Sequence, residues 1–173
     1  MPHILSVRGK KPVIGKNAYI ADTAVLIGDV VLGEACSVWH HVVIRGDVHY
    51  IRIGDRVNIQ DGTIIHGTYQ KHPVHIGNDV SIGHRALIHG CTIHDEVLIG
   101  MGAILMDGVT VHSEVLVAAG AVVPPGTVLQ SGWIYAGNPA KPLKPLAQEQ
   151  LEFYIRRTAR NYVQYAQWYM PKK

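Results

Sequence analysis

The sequence predicts an all-β fold: a left-handed parallel β-helix of hexapeptide repeats with a C-terminal α-helix. Three observations predict it. An aliphatic residue returns every six positions, the residue after it is often small, and the pattern becomes helical from Pro145 onward.

The recurring residues are Ile14, Ile20, Leu26, Leu32, Val38 and Ile44, then Ile53, Ile59 and Ile65, then Ile76, Ile82 and Ile88. Ile93, Ile99, Leu105, Val111, Val117 and Val123 complete the series. A period of six fits neither the 3.6 of a helix nor the alternation of a simple hairpin. It fits a triangular coil in which six residues make one flat side and three sides make a turn. The aliphatic residue points inward. Its small neighbour, as at Gly15, Gly33, Gly54, Gly77 and Gly83, is expected to fit the tight corner. One coil cannot bury its own apolar edge, so coils stack and share a core. These eighteen positions predict six coils and, at strand spacing, a prism roughly 29 Å tall.

The β-helix is placed at 1–131, with repeats about 14–128. A Gly/Pro-rich link, 132–144, contains Gly137-Asn138-Pro139-Ala140-Lys141. The segment 145–173 is read as a helix starting at Pro145. Its apolar stripe is Leu151, Tyr154, Ile155, Thr158, Tyr162, Tyr165 and Tyr169. It is expected to pack back along the prism and cover an open β edge.

With 47% hydrophobic and 17% charged residues the chain is no disordered polyelectrolyte. A net charge of +3, scattered along the chain, does not mark a nucleic-acid surface. No apolar run has the length of a membrane span, and Met1-Pro2-His3 does not begin a signal peptide. A cytoplasmic protein is expected. Cys36 and Cys91 lie in no paired metal motif and read as buried thiols.

The period slips three times: nine residues from Ile44 to Ile53, eleven from Ile65 to Ile76, five from Ile88 to Ile93. With the sides labelled A, B and C in chain order, Ile44, Ile65 and Ile88 all fall on side A. Arg45, His66 and His89 follow them directly and form one column, with steps of about 4.8 Å. Asp61 and His84, each two past a side-C aliphatic, form another. In a threefold homotrimer one chain's A column faces its neighbour's C column. His66 and His89 then meet a neighbour's His84, and three neutral imidazoles leave a fourth position open, the pattern of a catalytic zinc site. Arg45 is then opposite a neighbour's Asp61. His3, His40, His41, His94 and His112 read as corner or small-slot residues.

The run Arg45-Gly46-Asp47, Asn58-Ile59-Gln60-Asp61-Gly62, His66, Gly83-His84 and His89-Gly90-Cys91 resembles the γ-class carbonic anhydrases and their bacterial homologues. The likeness extends through Gly137–Lys141 and the C-terminal helix, over nearly the whole chain. It implies a zinc-dependent trimer that reversibly hydrates CO2 to bicarbonate with a metal-bound hydroxide at the subunit interface. It implies His66, His84 and His89 as metal ligands and Arg45, Asp47 and Asp61 as the interface network. Gln60 matches the side chain that bonds the hydroxide, Asn58 a nearby polar position, and Tyr162 the helix tyrosine that approaches the site. Fe2+ and Co2+ suit three imidazoles as well as Zn2+. The chain departs from the most active pattern: Val48 stands where that pattern has an acid, and no Glu lies between Asp61 and His66. His49, His72 and His75 are then the candidate proton carriers.

Two rival readings remain at the level of sequence. Hexapeptide acyltransferases share the prism and the Pro-Ala-Lys tail, which leaves an acyl-CoA thioesterase or acyltransferase. The missing acid leaves a non-catalytic, metal-bound trimeric scaffold.

Overall fold

A computed structural model of the protein describes residues 1–171. The chain is a left-handed β-helix with parallel in-register strands and one C-terminal helix. It has seven coils, one more than the sequence count. Ile4 pairs with Leu26 and opens side A, Leu129 pairs with Val111 on side B, and Tyr135 pairs with Val117 on side C. Ile4 escaped the count because a ten-residue step to Ile14 hides its phase. Tyr135 escaped because an aromatic stands in an aliphatic slot.

The core is one continuous column. Leu26, Ile44, Ile65, Ile88 and Leu105 on side A are fully buried, as are Ile59, Ile82 and Ile99 on side C. Each such side chain contributes roughly 1.5–3 kcal/mol through removal from water. Parallel pairing carries each inward residue directly over the one a coil below: Ile44 on Ile65, Ile65 on Ile88, Ile88 on Leu105.

The small residue after each aliphatic is not the turning residue. The turn is made three positions before the next aliphatic, by a residue in the left-handed region: Asn17, Ala35, Arg56, Asp79, Glu96 and Glu114 at one corner, and His41, Gly62 and Arg85 at another. The small residue is needed because, as expected beside a tight corner, a side chain would crowd the backbone. A Cβ on Gly54 would lie 2.8 Å from the carbonyl carbon of Gly77 on the coil above. Backbones stack too closely there for a side chain.

The stretch expected as a linker is instead a hairpin. Trp133–Gly137 is the last strand of side C, and Ala140–Pro145 returns antiparallel to it. Pro145 therefore ends a strand. The helix begins at Gln148, passes through a π-helical segment Leu151–Arg156, and continues as Arg157–Gln167. Lys172 and Lys173, the end of the expected helical segment, lie outside the described residues. The helix buries Leu151, Ile155, Ala159 and Ala166, while Tyr154 and Tyr169 stay exposed. Small Ala159 and Ala166, more than the aromatic stripe, make the buried face and let the helix sit close. Arg156 pins it to the prism, bonding Glu96 at 2.8 and 3.0 Å and Glu114 at 3.3 Å.

Replacing Ile99 with Ala should leave a cavity in the shared column and cost about 2–5 kcal/mol, read as a fall in the denaturation midpoint. Burial pushes the Cys36 and Cys91 thiols up to about 12. Neither should react with iodoacetamide at pH 8 in the native protein, and both should react in denaturant.

Candidate metal centre

The register that aligns the core also aligns the polar column beside it. Arg45 pairs with His66, and His66 pairs with His89. The three stand at one corner of side A on successive coils. The His66 Nδ1 and His89 Nε2 atoms are 3.2 Å apart. Their other ring nitrogens meet carboxylates: His66 Nε2 is 3.1 Å from Asp47 Oδ1, and His89 Nδ1 is 2.7 Å from Asp107 Oδ1. Arg45 Nη1 donates to Asp47 Oδ2 at 2.7 Å.

The electrostatics favour neutral imidazole. Burial pushes His66 below its usual value, and its bond to Asp47 only partly offsets this. Burial pushes Asp47 the other way, but the bonds from Arg45 and His66 outweigh it and hold the carboxyl below its usual range. Burial also acts upward on Asp107, where bonds from Thr68 and His89 prevail and lower it.

His84 stands apart. It lies at the opposite corner of side A, where its Nδ1 is 2.9 Å from Asp61 Oδ2. Among the described residues of one chain, no three His, Cys, Asp or Glu gather around a point. Two facing imidazole nitrogens at 3.2 Å nevertheless fit a divalent ion. Zn–N bonds of 2.0–2.1 Å in a tetrahedron set neighbouring nitrogens about 3.3 Å apart.

Asn58 and Gln60 are buried on side C and hydrogen-bonded in series. Gln60 Nε2 donates to Asn58 Oδ1 at 2.9 Å, and Asn58 Nδ2 donates to Ser81 Oγ at 2.7 Å. This leaves Gln60 Oε1 free to accept. Gln60, His84 and Tyr162 line one end of a groove of about 580 Å3 between side C and the helix. Leu98, Leu116 and Ile134 are among the residues that line it further along. The Tyr162 ring packs edge-on against Trp39, 5.6 Å between centroids. Burial, with help from Asp61 and Tyr165, pushes its phenol up to about 12.

The three candidate proton carriers are dispersed. His75 points outward on side B with Nε2 3.2 Å from the Tyr50 hydroxyl, and the His49 ring packs on Tyr50. His72 lies in the excursion after His66, against Gly90 and Gly108. Sequence reasoning missed Asp107, Thr68 and Ser81. Asp107 had a signal: it ends a column of glycines two positions past side A.

The family model "Bacterial transferase hexapeptide (six repeats)" matches residues 11–46 and 90–125. "Gamma carbonic anhydrase 1, mitochondrial" of Arabidopsis thaliana is 43% identical over 95% of this chain and 61% of its own length. A "Carbonic anhydrase" of Geobacillus kaustophilus is 43% identical over 96% of this chain and 90% of its own. The crystal structure of a hexapeptide transferase family protein from Anaplasma phagocytophilum superposes with a TM-score of 0.93 at 35% identity, covering 97% of this chain and 98% of that one.

The raised Tyr162 pKa has a consequence at alkaline pH. The unfolded phenol ionises near 10 and the folded one near 12. The stability this group contributes is therefore complete below pH 10 and is lost as pH rises toward 12. Tyr162→Phe should lose less stability across that interval than the wild type, measured by urea denaturation at each pH.

Proposed function

The chain belongs to the γ-class carbonic anhydrase family of hexapeptide-repeat proteins, and from that premise we propose that it is a homotrimer that reversibly hydrates CO2 to bicarbonate at a zinc site shared between subunits. His66 and His89 of one chain and His84 of the partner subunit hold the metal.

One observation carries this reading: the distribution of outward-facing residues on the three sides. Side C is covered by the helix. Side B presents Arg52, His75, Thr92 and Thr110 along its middle, which suit water, with Val13, Val31 and Val128 only toward its ends. Side A presents Val25, Val43, Ile64, Leu87, Ile104 and Val122, an aliphatic ladder. Ile64 is 44% exposed. An apolar stripe of this kind marks an association surface. Its two edges carry the two half-sites, Arg45/His66/His89 on one and Asp61/His84 on the other. Three chains turning side A toward a threefold axis bury the ladder and bring unlike edges together.

A divalent metal bound there supplies a Lewis acid that makes water nucleophilic near neutral pH. The protein's own groups do the rest. Gln60 Oε1, its amide held by Asn58, accepts a hydrogen bond and orients the attacking oxygen. The Tyr162 phenol, protonated at neutral pH, donates to a substrate oxygen. The Arg45–Asp47 pair keeps its charges close to the seam, where Asp61 of the partner subunit lies opposite. Fe2+ or Co2+ fits the same donors. The two free buried cysteines suit a reducing, cytoplasmic setting.

A second reading draws on the groove. A volume of about 580 Å3 is far more than CO2 occupies, and it suits the acyl chain of a thioester, as in an acyl-CoA thioesterase or acyltransferase. Assaying CO2 hydration and acyl-CoA turnover on the same zinc-loaded protein separates the two. Turnover of neither by a metal-replete trimer favours a non-catalytic scaffold.

Light scattering should give three chains per particle, and anomalous diffraction should place one zinc per chain at the seam. Leu87→Lys should yield monomers that lose zinc and CO2 hydration together. Gln60→Ala should keep its zinc and lower kcat by about 10²-fold. A monomeric, active wild type would overturn the proposal.

A further inference from the structure

The carboxylates behind the two histidines do more than lie nearby. A carboxylate accepts hydrogen bonds and has none to give. The imidazole nitrogen facing it must therefore carry the proton. Asp47 faces Nε2 of His66, and Asp107 faces Nδ1 of His89. A neutral imidazole has one N–H, so the lone pairs left over are Nδ1 of His66 and Nε2 of His89. These are the two atoms that stand 3.2 Å apart.

We infer that Asp107, held by Thr68, is a positioning residue that fixes His89 in the Nδ1–H tautomer, opposite to the Nε2–H tautomer that Asp47 imposes on His66, so that both free lone pairs converge on one point. Were both rings in the same tautomer, one of the two facing nitrogens would carry a proton and donate it to the other, leaving no pair of lone pairs for an ion. Opposite tautomers turn a repeating column into a convergent pair.

The surroundings are built for it. Thr68 Oγ1 donates to Asp107 Oδ2 at 2.6 Å, so both carboxylate oxygens are engaged. Thr68 lies in the excursion between Ile65 and Ile76, which gives that break in the repeat a physical task. Two positions past the side-A aliphatics stand Gly28, Gly46, Gly67 and Gly90, and then Asp107. Gly90 lies directly beneath Asp107. A Cβ there would collide with the Asp107 carboxylate and come within 2.7 Å of His72 Cβ. The glycine leaves the space through which Asp107 reaches back to His89 on the coil before.

The inference concerns the metal site proposed above and rests on that reading for its purpose, though the tautomers themselves can be read without metal. In 15N-histidine-labelled, metal-free protein, long-range proton–nitrogen correlation spectra should show Nε2–H for His66 and Nδ1–H for His89. Asp107→Leu should convert His89 to a mixture containing Nε2–H, leave His66 unchanged, and weaken zinc binding 10–100-fold in chelator competition. Thr68→Val should give a smaller loss in the same direction, and Thr68→Ser should restore it. Wild-type His89 in the Nε2–H form would overturn the inference, as would a Thr68→Val or folded Asp107→Leu protein that keeps wild-type tautomers and zinc affinity. Wild-type protein with the stated tautomers but no zinc affinity would instead overturn the metal reading.

Discussion

Everything in this molecule depends on parallel in-register stacking of coils. Each residue lies above its counterpart one turn earlier, at strand spacing of about 4.8 Å. The constraint comes from the core: moving one coil by a single residue would turn its buried aliphatics outward and its polar residues inward. The interior column of Leu26, Ile44, Ile65, Ile88 and Leu105 thus holds the exterior column of Arg45, His66 and His89 in place. The candidate site inherits its precision from hydrophobic packing on the other side of the same strands.

Two of the three breaks in the repeat are insertions that leave the hexapeptide path and return in phase. The excursion from Ile44 to Ile53 is part of one continuous strand, Val43–Ile53, which bends around a corner and delivers Asp47 to His66. The excursion from Ile65 to Ile76 delivers Thr68 to Asp107. Both side chains serve histidines on the corner that the excursions replace. A regular hexapeptide corner would place a turn there with no room for either. Insertion loops on a rigid scaffold commonly carry function for this reason.

The three sides of the prism have separate fates because their outward residues differ while their inward ones do not. On side C, Ser37, Asn58 and Ser81 form a buried polar ladder under the helix, and it fixes Gln60. On side B, His94 and His112 stack nearly parallel, 5.3 Å apart. Side A is left aliphatic, with Ile64 exposed. The contrast between the stacked pair on side B and the convergent pair on side A shows what the carboxylates add. Histidines one coil apart occur on two sides of this prism, and on side A the carboxylates of Asp47 and Asp107 stand behind them.

The solenoid itself was legible in the sequence, because a six-residue period is imposed by the inward aliphatics and any reader of Ile93, Ile99 and Leu105 meets it. So was the column of Arg45, His66 and His89, since carrying the side assignment through the breaks places them together. The seventh coil was hidden where the period was broken near Ile4 or where Tyr135 replaced an aliphatic. The hairpin of 133–145 was hidden because Gly and Pro punctuate hairpins and linkers alike. Tertiary structure alone decided the rest. Asp107 lies eighteen positions from His89, and no local pattern says which nitrogen a carboxylate will face. That depends on side-chain direction across two coils and on the gap above Gly90, which exist only once the coils are stacked.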